Sequence, residues 1–241
     1  MDKCKKSDLA AVASSTGDAT ECDFSGANLK SMELIGIRFD GSNLRGADLS
    51  GSNLSGSTFV GCDLSGCDLS SSNFAGASFR GANLEKANLT FSTFTGADFS
   101  EAELKDADFT NAKIAVSRFE KAHLVGVNLQ MCDAVMIRCR GAAMQKISAR
   151  GASMIGADLS GCDLREAKLH GTDLSMANLG GSDLTGADIL EAVLTAADLT
   201  NANLRGARLK RTDLTRAKLD GVQCDDDLRE SLSRYAGKSR T

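Results

Sequence analysis

The chain has 241 residues, and its 28 basic and 32 acidic side chains give a formal net charge of −4. So mild a charge excludes both the basic footprint typical of nucleic-acid-binding proteins and the sustained negative charge of a polyanion. Hydrophobic residues make up 42% of the chain, which is enough to build a core, while glycine occurs 24 times and proline is absent. This composition indicates few irregular loops.

The N-terminal segment, residues 1–21, precedes a regular pattern. Its basic residues Lys3, Lys5 and Lys6 are not followed by the apolar run of a signal peptide. Nowhere does the chain hold the ~20 consecutive apolar residues that would span a bilayer. We therefore expect a cytoplasmic protein without a membrane partner. The segment itself is predicted to be an N-terminal cap, with a short helix after Ser7.

A five-residue repeat follows and continues without a change of register. From Phe24 to Leu219 every fifth residue forms a series of 40 centre positions, of which 37 are Leu, Phe, Ile or Met. A small residue stands two before each centre, Asp or Asn usually stands one before, and Gly most often stands two after. A period of five fits neither a helix nor a simple strand, so the chain is predicted to turn a corner once per pentapeptide. The glycine then occupies a turn position with φ > 0, as in a type II turn.

Four corners would close a coil of 20 residues, and successive coils would stack as parallel strands. Five phenylalanines stand 20 residues apart and would form one interior column. Where three centres shrink, the position that is usually small grows to Ile137 and Ile147, as a constant packing density requires. The predicted column is Phe39, Phe59, Phe79, Phe99 and Phe119, and the small centres are Ala134, Cys139 and Ala149.

Residues 22–221 resemble the pentapeptide-repeat family, whose consensus is A-(D/N)-L-x-x. Near-ideal copies begin at residues 47–49 (Ala-Asp-Leu) and 202–204 (Ala-Asn-Leu). The resemblance implies an all-β fold, a right-handed quadrilateral parallel β-helix, which is a solenoid of about ten coils. At ~4.8 Å per coil the rod would be roughly 48 Å long. A short N-terminal cap and a C-terminal helical cap would cover its open ends.

The C-terminal segment, residues 222–241, is predicted to form that helix and a tail. The acidic run 225–227 suits a helix start and Gly237 suits a stop. The helix could close the last coil or, as in some members of the family, mediate dimerisation; both readings stay open. The candidate contact residues on one helical face are Leu228, Leu232 and Tyr235.

The sequence contains no catalytic, metal-binding or cofactor-binding constellation, so we expect neither an enzyme nor a cofactor. His123 and His170 point outward on different faces and have no Cys or Ser partner placed for nucleophilic catalysis. The Asp and Asn residues before the centres are interpreted as solvated positions. Six cysteines occupy inward positions as small hydrophobes, so neither a zinc site nor a disulfide framework is expected. They are Cys22, Cys62, Cys67, Cys132, Cys139 and Cys162.

The constant register assigns each outward residue to one of four faces. Large apolar outward residues gather on the face centred on residues 34, 54 and 74, and along the edge of the face before it. A Met-rich exposed apolar patch is typical of an interaction site, although scattered apolar residues are also normal on surfaces. The candidate interaction surface comprises Phe91, Val116, Met131, Val135, Met136, Ile155, Met176, Leu190 and Val193. A candidate basic patch on the next face comprises Arg118, Lys121, Arg138 and Arg140.

Three functions remain open. The first is a non-catalytic scaffold that binds a protein partner or a second copy of itself, through the apolar surface or the C-terminal helix. The second follows from the resemblance, because some pentapeptide-repeat proteins protect DNA gyrase by imitating DNA. Residues 101–221 carry 16 acids and 16 bases, which argues against such mimicry. The third, nucleic-acid binding through the basic final coils, lacks the aromatic residues on which single strands stack.

Overall fold

The backbone winds in coils of 20 residues. The computed structural model describes residues 17–236, except the side chains of residues 231 and 233–236. Every β-bridge in this range is parallel and joins residue n to residue n + 20, from the pair Asp18 and Arg38 to the pair Asn203 and Gln223. Each strand is a single bridge residue between two corners. The predicted coil length is therefore confirmed over this range.

The bridges form four ladders, which define four faces named in chain order. Face A has its bridge residues at 18 to 218, face B at 23 to 223, face C at 28 to 208 and face D at 33 to 213. The first bridge residue, Asp18, lies in the segment predicted to be the N-terminal cap. The rest of that segment, including the predicted helix after Ser7, lies outside the described residues.

Most corners are closed by a hydrogen bond within the turn, and the corners are held by bonds between coils. The amide of Ala47 donates to the carbonyl of Leu44 at 2.8 Å, which closes one turn. Between coils, the amide of Leu49 donates to Asp68 O at 2.7 Å, and the amide of Asp68 donates to Ala47 O at 3.0 Å. The residue two after each centre has a positive φ, between 54° and 72°, whether or not it is glycine. The positive φ predicted for this turn position is confirmed.

The interior is a column of centre side chains. Phe79 is fully buried, and its ring stacks between those of Phe59 and Phe99 with centroids 4.9 and 4.8 Å away. It also meets Phe74 and Phe94 edge to face at 5.5 and 5.8 Å. Stacked and edge-to-face rings at these separations attract one another beyond their burial. The predicted phenylalanine column therefore exists, and it is part of a wider aromatic core.

In the middle of the rod a small residue stands at the centre position and a large one at the position that is usually small, as predicted. Ala134 and Ile137 are both fully or almost fully buried, with the isoleucine in the position that is usually small. The turn bond from the amide of Ile137 to Ala134 O is 3.4 Å long, against 2.8 Å for Ala112 to Phe109 O. The stiff β-branched side chain needs more room at the corner than alanine does. The exchange therefore loosens this corner slightly.

The inward cysteines are all buried in the core, and one of them is not a free thiol. The Cys62 thiol donates to Phe39 O at 2.8 Å, and that of Cys67 donates to Leu44 O at 2.8 Å, in the coil below. Burial raises the pKa of each of these two thiols to about 12. Cys22 instead takes part in a disulfide, with a partner outside the described residues. The expectation of a free thiol was therefore wrong at Cys22, although Cys22 is buried as expected.

A helix, α1, spans Asp226–Ala236 and follows the last coil directly. Leu232 is only 7% exposed, and the half-buried Leu228 packs against the same core. The carboxylate of Asp225 accepts a hydrogen bond from the amide of Gly206 at 2.7 Å, which ties the helix start to the coil before it. The side chain of Tyr235 lies outside the described part. Within the described residues no helix is both long and apolar enough to cross a membrane.

Candidate interaction face

Face D and the corner that leads into it carry most of the large exposed apolar side chains. Phe91 and Met131 lie on the corner between faces C and D, and their side chains are 66% and 62% exposed. Val116, Met136 and Met176 lie on the opposite corner of face D and are also exposed. Side chains one coil apart on a corner are separated by about 4.8 Å. Val116 and Met136 are therefore neighbours, whereas Asn111 separates Phe91 from Met131 and Gly156 separates Met136 from Met176.

All five exposed residues occupy the left-handed corner position. Their φ angles lie between 54° and 59°, where glycine is the residue that fits without strain. A side chain with a Cβ costs about 1–2 kcal/mol in this conformation, and a β-branched residue such as Val116 is a marked outlier. The corners thus carry large apolar groups at a cost to folding, in full contact with water.

The other four members of the predicted surface are half-buried. Val135, Ile155 and Leu190 stand one after a centre, and Val193 stands one before. Side chains at these positions are partly covered by the equivalent side chains in the coils above and below. The residue two after the centre forms the tip of the corner and is more exposed. The prediction that all three non-core positions of each pentapeptide face water is therefore too simple. The structure places eight of the nine residues on face D and its two corners, and Leu190 on face C beside the corner.

The two methionines of the sixth coil fit over glycine corners of the next coil. A Cβ added to Gly151 would lie 2.8 Å from Sδ of Met131, and one added to Gly156 would lie 3.5 Å from Cγ of Met136. The missing side chains therefore leave the room that the methionines occupy. Beyond each methionine the surface is flat, because glycine exposes only backbone.

Face D is also poor in charge, and its charges are not paired within the chain. In the described part, the ion pairs between coil residues lie on faces A, B and C and on the corner that ends face C. Lys113 and Asp133 stand in bridged positions of adjacent coils, yet they form no ion pair. Between Ile35 and Lys113 the outward residues of face D include no charge. The charged residues of face D are Glu33, Lys113, Asp133, Asp173, Asp213 and Arg216.

The candidate basic patch lies on face A and is partly neutralised. A guanidinium nitrogen of Arg118 lies 3.2 Å from Asp98, in the coil below. Arg140 donates to Asp158 at 3.3 Å, in the coil above. Arg118 and Arg138 do occupy bridged positions, as predicted. Because Arg118 and Arg140 already pair with aspartates of this chain, the four residues of the basic patch do not form one continuous basic surface.

The Asp and Asn residues before the centres do more than contact solvent. The carboxylate of Asp198 accepts the amide of Thr200 at 3.0 Å, which braces the corner, and its other oxygen lies 3.0 Å from Lys218 Nζ. Asn88 in turn donates to Asp68 at 3.0 Å across coils. Such side-chain turns are local and recur wherever Asp or Asn stands before a centre in the described coils. Sequence reasoning missed this role, although the strict preference for Asp or Asn could have indicated it.

We expect Asp198 to stabilise the rod near neutral pH and to lose this contribution in acid. Hydrogen bonds from Thr200 and the ion pair with Lys218 lower the pKa of Asp198 from 3.8 to about 2. Because the folded pKa is the lower one, the stabilisation is present above pH 4 and is lost as the pH falls toward 2. Asp198→Asn keeps an oxygen acceptor but does not ionise. Its urea midpoints should therefore fall less steeply than the wild type between pH 4 and 2, and equal slopes would contradict this role.

The two histidines contact acids rather than nucleophiles. His123 Nδ1 lies 2.8 Å from Glu103, and His170 Nε2 lies 3.7 Å from Glu191. Within residues 17–236 no cluster of three His, Cys, Asp or Glu side chains could hold a metal ion. Surface grooves of about 300–380 Å³ are lined largely by charged and small polar residues, and one of them includes Leu190 and Glu191 beside the corner that leads into face D.

Two family models match almost the whole rod. One, described as a pentapeptide repeat region, matches residues 19–89 and 37–109. The other, described as pentapeptide repeats in eight copies, matches residues 102–135, 137–171, 162–195 and 192–223. The chain belongs to the pentapeptide-repeat family. Family membership carries with it the right-handed β-helix to which the four ladders correspond.

Solved pentapeptide-repeat structures are similar along the length of the chain. HetL, involved in heterocyst differentiation regulation in the cyanobacterium Nostoc sp. strain PCC 7120, is 27% identical, with a TM-score of 0.65. The match covers 91% of this chain and 95% of HetL. QnrB1, a plasmid-mediated fluoroquinolone resistance protein, is 22% identical with a TM-score of 0.54, over 88% of this chain and all of its own. No curated protein matches the sequence.

Proposed function

We propose that this chain is a non-catalytic scaffold that binds a protein partner through the apolar surface on face D. The observation that carries the proposal is the set of five exposed apolar residues at left-handed positions on the two corners of face D. The fold alone would be more stable with glycine at these places. Large apolar groups that are exposed to water at a cost in stability are typical of a binding surface.

The chemistry of face D favours a protein over other partners. Its few charges give no electrostatic attraction for nucleic acid, which is bound largely through its phosphates. The bridge residues and corners of its inner coils are hydrogen-bonded between coils, so a partner cannot add a strand and must dock on side chains. Methionines such as Met131 and Met136 adapt their shape to an apolar partner.

The ends of the rod complete the proposed architecture. We assign about ten coils to the rod, an N-terminal cap to residues 1–21 and a C-terminal cap to residues 222–241, the boundaries read from the sequence. Helix α1 supports the second assignment, because Leu228 and Leu232 pack on the core rather than pointing outward. These two side chains are therefore not free to mediate dimerisation while the helix keeps this position. The cytoplasmic location stays a prediction of the sequence.

Aspartate on the apolar surface should remove partner binding. The chain, immobilised and incubated with extract of its native cells, should retain a specific partner that is lost with Met136→Asp/Ile155→Asp. The added charges lie in the middle of the surface and would have to be desolvated on docking. Val125→Asp is the matched control, because Val125 has the same place in the pentapeptide as Ile155 but lies on face B. A partner retained equally by all three proteins would refute the proposal.

Gyrase binding by DNA mimicry is the alternative function. The likeness to QnrB1 is below 25% identity and supports only a common fold. Pairs such as Arg118 with Asp98 and Arg211 with Glu191 neutralise acids on the charged faces, so no sustained negative surface is present among the described residues. The decisive measurement is gyrase supercoiling in the presence of ciprofloxacin. Protection by low micromolar protein would favour this alternative over the scaffold.

A further inference from the structure

We propose that the apolar surface on face D binds a second copy of this chain in an antiparallel dimer. The two-fold axis would lie in the plane of the interface, perpendicular to the rods. It would pass between the coil of Met136 and the coil of Gly156. This inference rests on the proposed function of the surface and adds the identity of one partner and the register of its binding.

Symmetry decides which residues meet. When two copies of one face are related by an axis across the rods, every column of residues meets the same column of the partner, read in the opposite direction. With the axis between Met136 and Gly156, a residue a given number of coils below the axis meets the residue the same number of coils above it. The contacts then involve the coils that carry the apolar side chains, which lie on both sides of this level.

Two of the unpaired charges of face D, Lys113 and Asp173, become complementary in this arrangement. Lys113 lies opposite Asp173 of the second copy, and the contact occurs twice. Neither residue has an ion pair among the described residues. The Oδ1 atom of Asp173 accepts the amide and the hydroxyl of Ser175 at 2.9 and 2.6 Å, which leaves Oδ2 for a partner. Complementary charges of this kind select register and orientation.

The apolar side chains are also complementary. On one corner of face D, Val116 lies opposite Met176, and Met136 lies opposite Gly156. On this corner the large groups thus face another large apolar group or a glycine, whereas Phe91 on the other corner lies opposite Glu191. Val135 and Ile155, which are half-buried in the single chain, meet one another across the axis and would lose their remaining contact with water. Burial of this area is what would drive association.

Other two-fold arrangements fit less well. An axis parallel to the rods would place each residue of the central column opposite the same residue of the second chain. Lys113 would then meet Lys113, and Asp173 would meet Asp173. Moving the antiparallel axis down by one coil pairs Lys113 with Asp133, but it places Met176 opposite Gly76 and Ile155 opposite Thr95. The proposed register is preferred because it brings more large apolar side chains together, with Val116 opposite Met176 and Val135 opposite Ile155.

The size of the face sets the expected affinity. Six coils at about 4.8 Å span about 29 Å, and one side of a narrow rod buries less than the about 1,600 Å² of a standard stable interface. We therefore expect a dissociation constant in the micromolar range. The dimer would form at high local concentration and exchange with other partners of the same surface.

A charge swap tests the register. Sedimentation velocity from low to high micromolar concentration should show a monomer–dimer equilibrium for the wild type. Lys113→Glu and Asp173→Lys should each weaken dimerisation about 10-fold at low salt, because two attractive contacts become repulsive. The double variant K113E/D173K should restore it. Restoration by K113E/D133K instead, or no restoration, would overturn the proposed register.

A control on the same face distinguishes the proposed dimer from non-specific apolar association. Ile155→Asp should abolish the dimer, whereas Ile35→Asp should leave it unchanged, because the position opposite Ile35 lies beyond the last coil. Both residues stand one after a centre of face D. A wild type that stays monomeric, or an equal effect of both variants, would refute the dimer. If M136D/I155D still lost a different protein partner, the proposed function would stand without it.

Discussion

Replacing Phe79 by alanine should lower the free energy of unfolding by about 3–5 kcal/mol, the range typical of large-to-small changes at buried aromatic positions. Its ring touches Phe59 and Phe99 above and below and Phe74 and Phe94 at its edges. A solenoid has no flexible layer that could close over the gap, since the hydrogen bonds between coils hold the corners apart. Urea unfolding followed by circular dichroism measures the loss.

The matched control is Phe91→Ala. Phe91 is the same residue type on the same rod, but its side chain is exposed at a corner. Its removal should change the free energy of unfolding by less than about 0.5 kcal/mol, as is usual for surface positions. Similar losses for the two variants would mean that the interior column does not carry the stability assigned to it.

The second large effect has the opposite sign. Val116→Gly/Met136→Gly/Met176→Gly should raise the free energy of unfolding by about 2 kcal/mol while removing binding to the apolar surface. The three φ angles, 54°, 57° and 59°, are relaxed for glycine but strained for side chains with a Cβ. Part of the gain is offset because glycine loses more backbone entropy on folding. Urea unfolding and sedimentation velocity measure stability and association separately.

Lys146→Gly provides the comparison for this variant. Lys146 also has a positive φ, 59°, but it lies on face B away from the apolar surface. It should gain stability for the same reason and keep its self-association. If the triple variant were destabilised, the exposed side chains would contribute to folding rather than to binding. That outcome would remove the main support for the proposed function.

The position of each side chain along and around the rod could be predicted from the sequence to a large extent. A repeat without insertions makes residue n + 20 the neighbour of residue n, so Phe59 over Phe39 and Arg138 over Arg118 followed from counting. The positive φ of the corners followed from the glycine positions. Ala134 and Ile137 exchange size because the interior is filled at constant density.

Partners and degrees of burial could not be predicted in the same way. Arg118 is bridged to both Asp98 and Arg138, and only the side-chain geometry shows that it pairs with Asp98. Val193 was expected to face water but is half-buried, because its exposure depends on the side chains of neighbouring coils. The disulfide at Cys22 could not be predicted from the repeat, because the repeat gives every inward cysteine, paired or free, a buried position.

The sequence by itself determined the coil, its four faces and the residues on each, because a strict five-residue period leaves the backbone one way to bury its centres. Only the tertiary structure decided which outward groups are already satisfied within the rod. Asp198 is used by its own corner and by Lys218, whereas Lys113 has no ion-pair partner among the described residues. The physical reason is that hydrogen bonds and ion pairs depend on distances of a few tenths of an ångström, which side-chain conformation sets and spacing along the chain does not.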